Sequence, residues 1–205
     1  MFTRSVRLFI SLLLVMFSGM GMVMAQGQGP GPGPGPGRPG GGGGGGGFFL
    51  PPLLMETTAF EDGGIIPPKY VSRGENVQPG FTFKNAPEGT VSYAIVLRDL
   101  DVAFMGGPTG ILHWLAWNIP AEAGGIPEGS LPEGSVTGAN LMRQNTYMGP
   151  GAPNGPRYHH YVFELYALNA KLDLPATASV DELMAALQGK VVAKAAYVGR
   201  FRSGE

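Results

Sequence analysis

Three histidines and two aspartates hold most of this chain's capacity for polar chemistry. His113, His159 and His160 each fall inside or at the edge of a run that reads as a β-strand. Asp99 and Asp101 stand two apart just after another such run, a spacing that lets both project from one face of an extended segment. His159 and His160 are neighbours, so in a strand they face opposite ways and only one of them can enter a given pocket. Leading into them is Tyr147-Met-Gly-Pro-Gly-Ala-Pro-Asn-Gly-Pro156, a loop rich in Gly and Pro. A loop of that kind can turn backbone N–H groups toward an anion. One acid, one or two imidazoles and free amides meeting there would make a small anionic-ligand pocket. Plainer roles exist for each part. A histidine in an apolar strand is often a satisfied core residue, and D-L-D after a strand is a common turn former.

Other chemistry finds less support. Ser92 and Ser135 lie in no nucleophile-elbow motif, and no H-E-x-x-H spacing occurs. The pair His113 and His159 with Asp99 matches a known ligand set of two histidines and a carboxylate, which keeps a metal-assisted hydrolase as a third reading. No cofactor is implied, and a binding module without catalytic residues is the leading expectation. The absence of cysteine removes disulfides, thiolate metal sites, a cysteine nucleophile and a lipid-bearing cysteine anchor. A formal net charge of −1 cannot neutralise a row of phosphates, so nucleic acid is not an expected partner.

The elements that must position these residues lie in the last three quarters of the chain. Of 205 residues, 35 are Gly and 19 are Pro, well above ordinary usage. Residues 26–47 alone hold 14 Gly and 5 Pro. Their Gly-Pro alternation has period two, not the triplet of a collagen helix, and reads as a disordered tether. Before it, Arg4 and Arg7 precede an apolar run from Leu8 to Phe17, and Val23-Met24-Ala25 offers a cleavage site. That is the pattern of a secretory signal peptide over residues 1–25, with cleavage near Ala25 and an exported, periplasmic or extracellular product. An uncleaved anchor is the alternative, since the apolar stretch reaches Ala25.

Residues 48–205 then form one domain of ordinary size. All 15 acids lie in it with 11 of the 14 basic residues, so the domain is mildly acidic. Val91–Leu97, Ile111–Ile119, Tyr161–Leu168 and Val191–Val198 are short, rich in β-branched and aromatic residues and bounded by Gly, Pro or Asp. Phe81–Phe83 is a shorter candidate. The two longest runs are apolar on both faces, as central strands between two layers are. One helix is expected over Val180–Gln188. Ser179 with Glu182 forms a capping box, Val180, Leu183, Met184 and Leu187 form an apolar stripe, and Gly189 ends it. The expected class is mainly β, a sandwich with one or two small peripheral helices.

Five stretches in this domain resemble the phosphatidylethanolamine-binding protein family, in its bacterial Raf-kinase-inhibitor-like branch. They are AFEDGGIIPPKYV with GEN (59–71, 74–76), APEGTVSYAIVLRDLD (86–101) and HWLAWNIPAEAGGIPEG (113–129). The others are YMGPGAPNGPRYHHYVFELYAL (147–168) and ELMAALQGKVVAKAAYVGRFR (182–202). The resemblance implies a β-sandwich with a surface pocket for phosphate, acetate or a phospholipid head group, and membrane contact at most peripheral. It also implies Asp99, Asp101, His113, Gly149, Pro150, His159 and Tyr161 as ligand-binding residues, with His160 behind them. In that arrangement His113, His159 and the Gly149 amide would donate to the ligand, and Asp99 would fix an imidazole. The family's names imply an inhibitor or regulator of a protease or kinase as the second reading, and export puts a cytosolic kinase out of reach. Two departures stand out. Leu100 and Ala103 replace the prolines of a D-P-D-x-P motif, which should relax that loop. His160 stands where the family has arginine, and it would hold a carboxylate only when protonated.

Overall fold

The computed structural model describes residues 51–103 and 107–204. The chain divides into two units, residues 1–47 and 48–205. The signal segment and the tether expected from the sequence lie outside the described residues. Within residues 48–205 a large sheet of six strands faces a smaller one of three.

The central strands are those with the longest apolar and aromatic runs. They are β4 (Ser92–Asp99), β5 (Ile111–Pro120) and β8 (His159–Leu168), paired antiparallel in the order β8-β4-β5. Outside β8 lies β9 (Val191–Phe201), and beyond it β2 (Gly64–Ile65) pairs parallel to β9. A short β7 (Val136–Thr137) edges β5. The small sheet is β1 (Leu54–Glu56), β3 (Phe81–Lys84) and β6 (Gly125–Ile126). The short strands β1, β2, β6 and β7 carry too few residues to show a period, and the sequence pattern did not mark them.

Both faces of the large sheet are buried, which is why its central strands do not alternate. On one face Tyr93, Ile95, Leu97, Trp114, Phe163 and Leu165 pack with Met55, Phe81 and Phe83 of the small sheet. On the other, Ala94, Val96, Leu115, Trp117 and Leu168 pack with Leu183 and Leu187. These last two belong to α1 (Val180–Ala186) and its C-cap. The capping box is formed as expected: the Ser179 hydroxyl accepts from the Glu182 amide at 3.2 Å, and the Glu182 carboxylate accepts from the Ser179 amide at 2.7 Å. Each fully buried large side chain contributes about 1.5–3 kcal/mol, so this two-sided core anchors the strands whose ends carry the site.

Candidate functional site

Register brings the chemical groups to one end of the large sheet. Asp99 ends β4 and sits directly opposite both Ile111 of β5 and Tyr161 of β8. His159 opens β8 on the same face as Tyr161, two residues on. His113 arrives by a different device. Leu97 faces Trp114 while the next residue, Arg98, faces Leu112, so His113 is the extra residue of a β-bulge. Strict alternation would turn His113 away from Trp114. The bulge instead turns it toward Tyr161, whose ring it meets edge-on at 5.1 Å between centroids.

Asp99, His113, Gly149, His159 and Tyr161 line one open cavity of about 400 Å³, with Ile111, Leu141 and Met148 among its apolar walls. Asp99 and His159 are 3% and 8% exposed, and Oδ2 of one lies 2.8 Å from Nδ1 of the other. His113 is also buried, and its Nδ1 lies 3.0 Å from the carbonyl oxygen of Met148 and 3.1 Å from that of Gly149. Both oxygens only accept, so Nδ1 carries the proton and the neutral ring has its lone pair on Nε2.

Two of the expected pocket residues lie elsewhere. Asp101 is not in the lining, because the turn after β4 ends the alternation: Asp99 Oδ1 accepts from the Asp101 amide at 2.9 Å, and the Asp101 side chain leaves toward His160. There its Oδ2 accepts from the His160 amide at 2.7 Å and lies 2.9 Å from His160 Nδ1. A neutral imidazole with its proton on Nδ1 makes that bond, so protonation of His160 is not required. His160 is exposed, as its opposition to His159 demands. With the Leu100 amide donating to the His160 carbonyl at 3.1 Å, these bonds hold residues 99–101 where rings were expected. Pro150 is buried and also outside the lining. Its carbonyl accepts from the amide and the hydroxyl of Ser72 at 2.9 and 3.0 Å, tying two loops together.

The free loop amides expected from the sequence are not free. The Gly149 amide donates to Asn76 Oδ1 at 2.8 Å, and those of Gly151 and Ala152 donate to the Tyr161 hydroxyl at 3.3 and 3.0 Å. A Gly/Pro loop of this length is rigid only because its donors are satisfied inside the protein. The Gly149 amide therefore cannot serve as the ligand donor expected of it.

Burial lowers the proton affinity of His113 below the ordinary histidine value. It outweighs the Met148 and Gly149 carbonyls and the Asp99 charge, which act the other way. Burial also raises the Tyr161 hydroxyl well above the ordinary phenol value, assisted by the Asp99 charge, so it stays neutral. For Asp101, burial works to raise the pKa, but the His160 amide and ring hold it below the ordinary carboxylate value.

Sequence reasoning passed over Arg73 and Ser72, which line the rim, and Asn76, which holds the loop. An isolated cation in the polar turn S-R-G-E-N was the available signal for Arg73. Among the described residues, no three His, Asp or Glu side chains are grouped as metal ligands.

A family model described as phosphatidylethanolamine-binding protein matches residues 56–202. The UPF0098 protein of Methanothermobacter thermautotrophicus is 36% identical over 156 residues, covering 73% of this chain and 99% of that protein. LppC of Mycobacterium tuberculosis, named as a candidate lipoprotein, is 33% identical over 150 residues, covering 73% of this chain and 72% of its own. Among solved structures, Escherichia coli YbcL, described as a member of the mammalian family of the same name, has a TM-score of 0.68 at 25% identity. The match covers 74% of this chain and 99% of YbcL. The homologue CT736 of Chlamydia trachomatis gives the same score and identity over 75% of this chain and 99% of its own. The register, the two-layer β architecture and these matches agree: the chain belongs to the phosphatidylethanolamine-binding protein family.

Proposed function

We propose that this protein is an exported small-ligand-binding module whose pocket receives an anionic head, such as phosphate, a phosphomonoester or a phospholipid head group. The observation that carries the reading is the convergence of His113 and His159 in one open cavity, each with Nδ1 already engaged. Any hydrogen bond a ligand makes to these rings is made to Nε2. Arg73 at the rim adds a permanent positive charge, and the apolar walls suit the organic part of an ester. A binding role fits better than catalysis because the Ser72 hydroxyl in the lining donates to the Pro150 carbonyl and has no adjacent base. Export rests on the basic, apolar, small-residue pattern of residues 1–25 and is consistent with the name of the mycobacterial relative. No helix among the described residues is long and apolar enough to cross a membrane.

Isothermal titration with phosphate and a phosphomonoester tests the pocket. Binding that is lost in His159→Ala is the expected result. Absence of binding from pH 5 to 8, or binding unchanged in the variant, removes the reading. A mature N-terminus beginning near Gln26 is expected for the exported form, and Met1 retained on the exported protein contradicts cleavage.

Regulation of a protein partner is the second reading, favoured by Leu100 and Met142. These large apolar side chains are 55% and 64% exposed, and each adjoins a lining residue, Asp99 or Leu141. A pull-down from the native compartment that survives His159→Ala but not Leu100→Glu would favour it.

A further inference from the structure

The pocket's backbone and hydroxyl donors are largely spent inside the protein, whereas the Nε2 atoms of its two imidazoles are not. The Gly149 amide goes to Asn76, the Gly151 and Ala152 amides go to the Tyr161 hydroxyl, and the Ser72 hydroxyl goes to the Pro150 carbonyl. The two imidazoles spend their Nδ1 protons on backbone carbonyls and on Asp99. In their neutral forms they offer a ligand only the lone pairs of Nε2. The Asp99 carboxylate, also in the lining, already accepts from the Asp101 amide and faces His159 Nδ1, and its charge repels a second anion.

Resting on the reading of this cavity as an oxyanion site, we propose that among tetrahedral oxyanions it selects those bearing a proton of their own over those bearing none. The accepted class is the monoanionic form of phosphate, phosphomonoesters and phosphonates. Sulfate, the same size and shape but without a proton near neutral pH, belongs to the rejected class. A P–O–H group donates to an imidazole Nε2, and Arg73 at the rim compensates the remaining negative charge. Sulfate sets acceptor against acceptor, which leaves buried lone pairs unpaired.

The titratable and charged groups on this cavity are Asp99 from β4, His113 from β5, His159 and Tyr161 from β8, and Arg73 from the loop before β3. Asp101 and His160 pair with one another outside it. Burial makes His113 a poor carrier of the extra proton, and the Tyr161 oxygen already accepts from two amides. With His159 Nδ1 committed to Asp99 and both rings neutral, the proton comes with the ligand. A proton carried by a histidine is the alternative that the titration below separates.

Titration calorimetry of the purified protein separates the outcomes. Methyl phosphate has its second ionisation near pH 6, at about the ordinary value for a phosphate ester, and methylphosphonate has its own appreciably higher. At pH 6 both are expected to bind at least tenfold more tightly than sulfate, and the pH at which affinity is lost should be higher for methylphosphonate. Sulfate binding as tightly as methyl phosphate overturns the proposal and leaves the anion pocket standing. Loss of both phosphorus ligands at one common pH does the same, because a histidine would then carry the proton. If none of the three binds between pH 5 and 8, the pocket reading fails and the proposal fails with it.

Discussion

The backbone amide of Gly149 donates to Oδ1 of Asn76 at 2.8 Å, across 73 positions of sequence. Asn76 holds a left-handed backbone, φ 56°, and its Nδ2 reaches toward the Tyr147 carbonyl at 3.5 Å. One side chain thus fixes the loop whose carbonyls in turn fix the His113 tautomer. Asparagine tolerates this backbone region better than most residues.

Two substitutions separate its roles. Asn76→Gly keeps the backbone geometry and loses the hydrogen bond, which should cost about 1–2 kcal/mol by leaving a pocket amide unpaired. Asn76→Ala adds left-handed strain of about 1 kcal/mol. Chemical denaturation should rank wild type above Gly above Ala, and both variants should bind phosphate several-fold more weakly. Equal stability of the two variants would show that strain plays no part.

Gly149 itself has no room for a side chain. A Cβ there would lie 2.3 Å from the Tyr70 carbonyl oxygen and 2.8 Å from the Ser72 amide nitrogen. Both are backbone atoms, so the loop must move. Gly149→Ala should cost about 1–3 kcal/mol and reduce phosphate affinity at least tenfold. A variant that melts and binds like wild type would contradict the tight packing of the two loops.

His113 gives stability a pH dependence of definite sign. Its folded pKa is depressed, chiefly by burial, so the unfolded chain takes up a proton before the folded one does. Stability should be unaffected by this group above the ordinary histidine value of about 6.5, and should fall as pH drops below it until the folded pKa is reached. Thermal melts of wild type and His113→Gln between pH 8 and 5 check this. The variant should lack that part of the decline, and parallel curves would count against it.

Asp101 acts with the opposite sign. Its carboxyl is held below the ordinary value, so its contribution is present above the ordinary carboxylate pKa and is lost as pH falls through the folded one. Asp101→Ala, which removes the acceptor for both the His160 amide and ring, should cost about 1–2 kcal/mol at pH 7. His160→Ala keeps the backbone bond and removes only an exposed pair, so it should cost under about 1 kcal/mol. Urea unfolding at pH 7 that ranks His160→Ala as the more damaging would reverse this assignment.

What could be read in advance was local. Val91–Leu97 and Tyr161–Leu168 declare themselves as buried strands because every position but Ser92 and Glu164 is apolar or aromatic. Ser179 and Glu182 announce a helix start because both partners of the cap lie within three residues. The opposed faces of His159 and His160 follow from alternation alone. Asp99 and Asp101 part company because an Asx turn interrupts that alternation, and no pattern in D-L-D reveals it. The bulge that re-aims His113 depends on pairing with β4, and the occupied loop amides depend on Asn76 and Tyr161, far off in sequence or across a turn. Period and composition carry none of this, because each fact belongs to a pair of segments.

The parallel pairing of β2 with β9 sets Gly64 beside Gly199 and Ile65 beside Arg200. Hydrogen bonds extend that seam, with the Gly63 amide donating to the Val198 carbonyl and the Tyr197 hydroxyl to the Phe60 carbonyl. The large sheet therefore cannot be completed until residue 200 has left the ribosome. Closure of this kind rests on contacts distant in sequence, which slows folding relative to a chain built on local contacts. The last strand to be synthesised is thus the one that joins β2 to the rest of the large sheet.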